Sequence, residues 1–238
     1  MRLAIDTATD IASVAVGKRG TPYASGLIRG ARQHAAQLLP LIQKVLADAD
    51  AKLDEITEII VGDGPGSFTG VRIGWAAARG IAHERNLPLV AIPSLLGAAH
   101  ALSALERESR PVAACYDALR GQVFGAVYVV RAEQIETLVA PALFTLAELA
   151  RATPVRPALA VGDGAERYRA EVEAWTGKPP VPLDAVPKIA SRLLVLAEHE
   201  SARRAIDDPL TEPVYGRPAE AQVKWESRHG RPLPNPPR

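Results

Sequence analysis

The stretch Gly62-Asp63-Gly64-Pro65-Gly66-Ser67-Phe68-Thr69-Gly70-Val71-Arg72-Ile73-Gly74 follows directly on the apolar triplet Ile59-Ile60-Val61. A short β-branched run stops at glycines, turns through Gly-Pro-Gly, and resumes at Thr69 with helix-forming residues. Strand, glycine loop and helix N-terminus in that order gather backbone N–H groups at one point, and such a point attracts anions. The stretch lacks the Gly-Lys-Ser/Thr ending of a P-loop, and its third glycine falls one residue late for a dinucleotide fingerprint. On these residues alone a phosphate cradle and a tight structural turn both stay open. The candidate nucleotide contacts are Gly64, Gly66, Ser67 and Thr69, together with Asp6 at the end of an apolar run near the start of the chain.

Upstream, Leu3-Ala4-Ile5-Asp6 reads as a buried strand ending on an acid, and residues 12–16 and 23–29 as two more. A helix is predicted over residues 31–49. Its apolar residues fall on two faces, Leu38, Leu41 and Val45 on one, Ala35, Leu39, Ile42 and Leu46 on the other. One stripe serves the core, so the second calls for a partner or another helix. Pro40 predicts a kink or a trimmed first turn. Beyond the glycine loop a helix is predicted over residues 69–84, with Gly70, Gly74, Ala78 and Ala82 on one stripe. That stripe lets a neighbouring backbone come close. A glycine costs a helix about 1 kcal/mol relative to alanine, so two on one stripe imply a packing reason. Arg72, Trp75, Arg79 and His83 run along another face. A strand over 87–92 and a helix over 94–107 close the unit.

The second half restarts the plan. Val112-Ala113-Ala114-Cys115-Tyr116-Asp117 is again an apolar run ending on an acid, with strands predicted over 122–130 and 135–139 and a short helix near 146–150. Then Val61-Gly62-Asp63-Gly64 recurs as Val161-Gly162-Asp163-Gly164. The matching order of elements predicts an α/β fold of two tandem ribonuclease-H-like domains, the architecture of the actin/sugar-kinase/Hsp70 superfamily. The first spans 1–107 and the second 108–216, with a last helix over 187–201 free to pack back on the first. Residues 217–238 carry five prolines, Pro218, Pro232, Pro234, Pro236 and Pro237, and read as loop or disorder.

A chain of 238 residues with 23% charged residues and a net charge of +1 is that of an ordinary globular protein and calls for neither nucleic acid nor membrane as a direct partner. The weakly basic tail, with Lys224, Arg228, Arg231 and Arg238, does not change that balance. A lone Cys115 offers no disulfide and no cysteine metal site, which suits a reducing cytoplasm. Met1 to Asp6 reaches a carboxylate too soon for the apolar core of a secretory leader. The longest apolar stretch, 89–105, is interrupted by Pro93, Ser94 and His100 and is short for a membrane span. The expectation is a soluble cytoplasmic protein.

The wording of the glycine stretch resembles the hallmark of the TsaB family, partner proteins in making N6-threonylcarbamoyladenosine on tRNA. Four further stretches resemble the same family in the right order: Ala4-Ile5-Asp6-Thr7-Ala8-Thr9, Arg32-Gln33-His34 with Leu38-Leu39-Pro40, Asp117-Ala118-Leu119-Arg120-Gly121-Gln122-Val123, and Glu212-Pro213-Val214-Tyr215 with Arg217-Pro218. The resemblance implies a non-catalytic subunit that dimerises with a TsaD-like enzyme. With a TsaE-like ATPase it would support threonylcarbamoyl transfer to the adenosine next to the anticodon of ANN-decoding tRNAs. It would meet tRNA only through the complex and homodimerise when alone. No cofactor of its own is expected; ATP or ADP at the complex interface is the open exception. The rival is an enzyme of the same fold, a nucleotide-binding kinase or ATPase, or a peptidase.

The residues can be asked which side they favour. TsaD-like enzymes hold a metal through a His-x-x-x-His pair, but the matching stretch Ile92-Pro93-Ser94-Leu95-Leu96-Gly97-Ala98-Ala99-His100 carries one histidine, too few for a catalytic metal. Asp6 stands where superfamily members place a carboxylate near a magnesium nucleotide, yet strand-end acids also cap turns. Asp117 lacks phosphate-wrapping neighbours, and Asp63 and Asp163 read as turn stabilisers. His34 has no ligand partner a helical turn away. Ser67 lies outside a nucleophile elbow. No catalytic residue and no metal ligand is therefore assigned. The candidate partner interface comprises Leu38, Leu41, Val45, Gly70, Arg72, Gly74, Trp75, Ala78 and Arg79, with Trp75 between two arginines supplying the residue types that dominate interface energetics. The competing reading of Trp75 is that it packs into its own chain.

Overall fold

Alternating and continuous runs of Val, Ile and Ala give the strands, and the computed structural model describes residues 1–105, 109–131, 134–217, 225 and 228–230. Strands β1 (Arg2–Asp6), β2 (Ile11–Lys18) and β3 (Thr21–Arg29) form an antiparallel meander; β4 (Glu58–Gly62) and β5 (Leu89–Ile92) extend it in parallel on the β1 side. In the second sheet β6 (Pro111–Leu119), β7 (Gln122–Val130) and β8 (Ile135–Phe144) repeat the meander, and β9 (Leu159–Val161) lies parallel to β6. The helix between meander and parallel strand is α1 (His34–Asp48) in the first half; α2 (Phe68–Arg85) and α3 (Ser94–Ser103) follow β4 and β5. The second half answers with α4 (Leu146–Ala152), then α5 (Asp163–Arg167) and α6 (Arg169–Thr176) after β9. Three strands, helix, strand, helix thus occurs twice, the two tandem ribonuclease-H-like units expected from the sequence.

The predicted helix over 31–49 opens as a 3₁₀ turn, Ala31–Gln33, before α1, and Pro40 stays inside α1 on its exposed side. There the carbonyl that its missing N–H leaves unpaired can turn to water. The boundary predicted at 107, the end of the helix predicted over 94–107 and most of the Pro-rich tail lie outside the described residues.

Helix α7 (Ile189–Leu196) leaves the second half and packs on β1–β4, followed by the two-residue strand β10 (Arg204–Ala205), which pairs antiparallel with β5 at the edge of the first sheet. Consecutive residues of β2 show how the first sheet is covered on both faces. Ser13 Oγ accepts the N–H of Ala190 in α7 at 3.0 Å, whereas Gly26, the β3 partner of Val14, faces Leu41 and Val45 of α1. Leu3, Ile5, Ile59, Ile60, Ile92 and Leu95 fill the core between these layers. A smaller core around Val123, Val127, Leu149 and Val172 serves the outer side of the second sheet.

Candidate functional site

The glycine loop joins β4 to α2 and lies on the β1–β2 turn. Gly64 takes a positive φ of 81° and precedes a cis peptide bond to Pro65. Gly66, Gly70 and Gly74 are needed for a different reason. A Cβ on Gly66 would collide with the carbonyl of Ala8, one on Gly70 with the carbonyl of Thr7, and one on Gly74 with the Thr7 hydroxyl. The loop's polar groups are used internally. The N–H of Ser67 donates to Ala8 O at 2.7 Å, Gly64 N–H to Ser94 Oγ at 3.2 Å, and the Thr7 hydroxyl to Gly70 O at 2.7 Å. Ser67 is the N-cap of α2, its side-chain oxygen accepting from the N–H of Gly70 at 3.2 Å. It is a helix cap, with no base beside it in the described contacts.

Asp6 lies beneath this loop, 1% exposed, and accepts the Ser94 hydroxyl at 2.5 Å. Burial pushes its carboxyl up to about 6, against the lowering effect of the Ser94 hydrogen bond and a weak one from Ala8 N–H. A Cβ on Gly62 would overlap the Asp6 carboxylate, so the glycine at the end of β4 makes room for it. Asp63, next along, is clamped by Arg204: Nε reaches Oδ2 at 3.0 Å and Nη2 reaches Oδ1 at 2.6 Å. Burial raises its pKa while that arginine opposes the rise.

The second half repeats the device with other partners. Gly162, φ 121°, passes over the Cys115 carbonyl, and Asp163 Oδ1 accepts the N–H groups of Asp117 at 3.1 Å and Gly164 at 3.0 Å. Burial pushes Asp163 up to about 6. Asp117 pairs with Arg167 at 2.9 Å. Between the halves lies a cleft of about 220 Å³, lined by Asp10 and Arg29 on one side and by Asp163, Glu166 and Asp184 on the other. Arg29 already pairs with Asp184 at 3.0 Å. Four carboxylates around one paired arginine suit a polyphosphate poorly, and the turn that would cradle it lies under the glycine loop. Among the described residues no cluster of three or more His, Cys, Asp or Glu side chains has the arrangement of a metal site.

Residues 29–174 match the family model described as TsaD, tRNA N6-adenosine threonylcarbamoyltransferase. The protein named tRNA threonylcarbamoyladenosine biosynthesis protein TsaB from Bacillus subtilis is 28% identical over 94% of this chain and 96% of its own. The Escherichia coli protein of the same name is 39% identical over 53% of this chain, and this chain spans about half, 54%, of its length. The solved structure of YeaZ from Pseudomonas aeruginosa superposes with a TM-score of 0.68 at 31% identity, covering 83% of this chain and 90% of that one. The chain belongs to the TsaD-like family, among its TsaB members. For this TsaB-family chain the fold is shared with the solved relative.

The predicted interface residues require correction. Leu38, Leu41 and Val45 face β3 and the core of their own chain, and Gly70, Gly74 and Ala78 are buried against the β1–β2 turn and the sheet. The small-residue stripe exists so that α2 can sit on Thr7 and Ala8, not on a partner. Trp75 is 4% exposed and its indole N–H donates to Gly62 O at 3.2 Å; Arg79 and Arg204 lie over its ring. Arg79 donates to the carbonyls of Pro209 and Thr211, and Arg72 to the Tyr215 hydroxyl at 3.0 Å. Trp75 and Arg79 are thus engaged within the chain, whereas Arg72 keeps an exposed position on α2. The open faces are one step round each helix: Ala35, Ala36, Leu39 (56% exposed) and Pro40 on α1, with Ala76 and Gly80, flanked by half-buried Ile73 and Ala77, on α2. Periodicity gave the apolar surplus of α1 but not which stripe the sheet would take. His100 is single, its Nδ1 buried without a hydrogen-bond partner; burial, with Arg192 and His199 nearby, lowers its pKa to about 4. Ser94 and Arg204, which hold Asp6 and Asp63, were not singled out, because a serine after a proline and an arginine 141 residues from its partner carry no local signal.

Proposed function

We propose that this chain is a non-catalytic, cytoplasmic subunit in the synthesis of threonylcarbamoyladenosine on tRNA, acting by pairing with a TsaD-like enzyme. A TsaE-like ATPase completes the assembly, tRNA is met through the complex, and the chain homodimerises when alone. The observation that carries this reading is the adjacent outer face of α1 and α2, where Ala35, Ala36, Leu39, Pro40, Ala76 and Gly80 lie exposed. Small apolar residues on two neighbouring helices suit two helices of another chain at close range. The kinase-like alternative is disfavoured by the buried Asp6 and the occupied β1–β2 turn, the peptidase-like one by the capping role of Ser67.

The test is Gly80→Arg. A Cβ on Gly80 meets nothing within 4 Å, so the fold tolerates the change while a long charged side chain enters the proposed interface. Sedimentation of parent and variant, alone and mixed with the TsaD-like protein, is expected to show pairing weakened by about tenfold or more, the scale of a disrupted interface centre. A folded Gly80→Arg chain that pairs normally would place the interface elsewhere. In the same preparations the isolated parent is expected neither to hydrolyse ATP nor to modify tRNA; turnover abolished by Asp6→Ala would return the kinase-like reading.

A further inference from the structure

We propose that the chain pairs with a second copy of itself along one ridge of α2, Arg72, Ala76, Gly80 and Glu84, laid antiparallel against the same ridge of the other copy. This rests on the outer face of α1 and α2 being the association face, and adds the register in which a second copy occupies it. Residues four apart form a continuous ridge on a helix, inclined by about 26° to its axis. On α2 that ridge carries a long basic side chain, two small residues and a long acidic one, and all four are exposed. A Cβ on Gly80 meets nothing within 4 Å, and Ala76, one turn away, adds only a methyl group. The middle of the ridge therefore lets another backbone come close.

The ends of the ridge decide what fits. A two-fold axis midway between Ala76 and Gly80 sets Ala76 of one copy against Gly80 of the other, and Arg72 against Glu84. Arg72 and Glu84 both lie about 9 Å from that axis along the helix. Two such ridges laid side by side cross at about −50°, the commonest class of helix packing, and at that angle the ends stay together. Arg72 is already held in place for this contact. Its Nε donates to the Tyr215 hydroxyl at 3.0 Å and its guanidinium lies 4.1 Å from the Phe68 ring centroid, while its Nη atoms have no partner among the described residues. Glu84 likewise makes no ion pair or hydrogen bond among them. Exposed ion pairs add little affinity, but they select a register. A parallel pairing of the same ridges would set Arg72 against Arg72 and Glu84 against Glu84, so the sequence of the ridge disfavours it.

Arg72→Glu and Glu84→Arg, each made in the full chain, test the register by sedimentation at low salt. Either variant alone sets like charges together at both ends and is expected to self-associate about tenfold more weakly than the parent, or worse. Mixed in equal amounts, the two variants regain an opposite-charge pair at each end, and the mixture is expected to dimerise about as tightly as the parent. Parallel pairing would instead leave each variant alone as tight as the parent. Single variants with parental self-association, or a mixture no tighter than either variant alone, overturn the register, and a parent chain that stays monomeric overturns the pairing outright. Should Arg72→Glu fail to fold, Glu84→Arg decides alone: parental self-association refutes the proposal. If the register fails while Gly80→Arg still weakens pairing with the TsaD-like protein, the partner reading stands. If the charge exchange succeeds while Gly80→Arg pairs normally with that protein, the partner reading falls and the register stands.

Discussion

Gly74→Arg is expected to unfold the first domain, not merely to block a partner. Its stripe reads from the sequence as an open surface where such a change leaves the fold intact. In the structure the Cβ position at Gly74 is already taken by the Thr7 hydroxyl, and the neighbouring glycines press on the carbonyls of Thr7 and Ala8. Even Gly74→Ala forces α2 off the β1–β2 turn, at a cost of about 1–3 kcal/mol for overpacking of this kind. Arginine adds a charge with no water and no acceptor prepared for it, which carries the loss beyond about 4 kcal/mol. Against a total stability of about 5–15 kcal/mol that leaves little folded protein at growth temperature. Urea unfolding of Gly74→Ala, and circular dichroism of Gly74→Arg beside Gly80→Arg, measure it. A Gly74→Arg protein with parental stability would mean that α2 does not rest on the turn.

Asp6→Asn is expected to stabilise the chain at alkaline pH and to do nothing at pH 4. The folded-state pKa of Asp6 lies near 6, above its ordinary 3.8. The folded state thus binds the proton more tightly than the unfolded one, so stability is full below about 4 and falls as pH rises through 6. Above that pH the chain holds an ionised carboxylate with little beyond the Ser94 hydroxyl to offset its lost hydration. Asparagine keeps an acceptor for that hydroxyl and removes the charge. Two pH units correspond to roughly 3 kcal/mol at most, and about 1–3 kcal/mol is the expected gain at pH 8. Asp163, shifted the same way, leaves a similar but separate slope in the variant. Urea midpoints at pH 4 and pH 8 for both proteins are the measurement. An Asp6→Asn chain less stable than its parent at pH 8 would show that the charge is wanted there, as a cation-binding role requires.

Much of the fold was legible because it is written locally. The strand runs 122–130 and 59–62, the glycine stop and the repeat of Val-Gly-Asp-Gly each sit within a few residues of what they specify. The helices α5 and α6 were not foreseen, since Ala165 and Val172 are too sparse an apolar pattern to separate a short helix pair from a loop. Strand β10 is two residues long and exists because β5 offers an edge. The site was legible as a location but not as a set of contacts. Glycines can signal close approach without saying to what, and here the answer, Thr7 and Ala8, lies some sixty residues upstream. The same limit misassigned Trp75: an aromatic between arginines looks alike whether it meets a partner or its own C-terminal segment.

The return of α7 and β10 to the first sheet bears on how the protein is made. When residue 105 leaves the ribosome, the face of β1–β4 that α7 will cover and the edge of β5 are both bare, and they stay so until residue 205 has emerged. At roughly 5–20 residues per second that interval is about 5–20 s. During it the nascent chain exposes an apolar sheet face with an unpaired edge, the kind of surface that chaperones bind and that aggregates form on. Moving the coding segment for α7 and β10 to the N-terminus by circular permutation would shorten that exposure while leaving their packing on the first sheet in place.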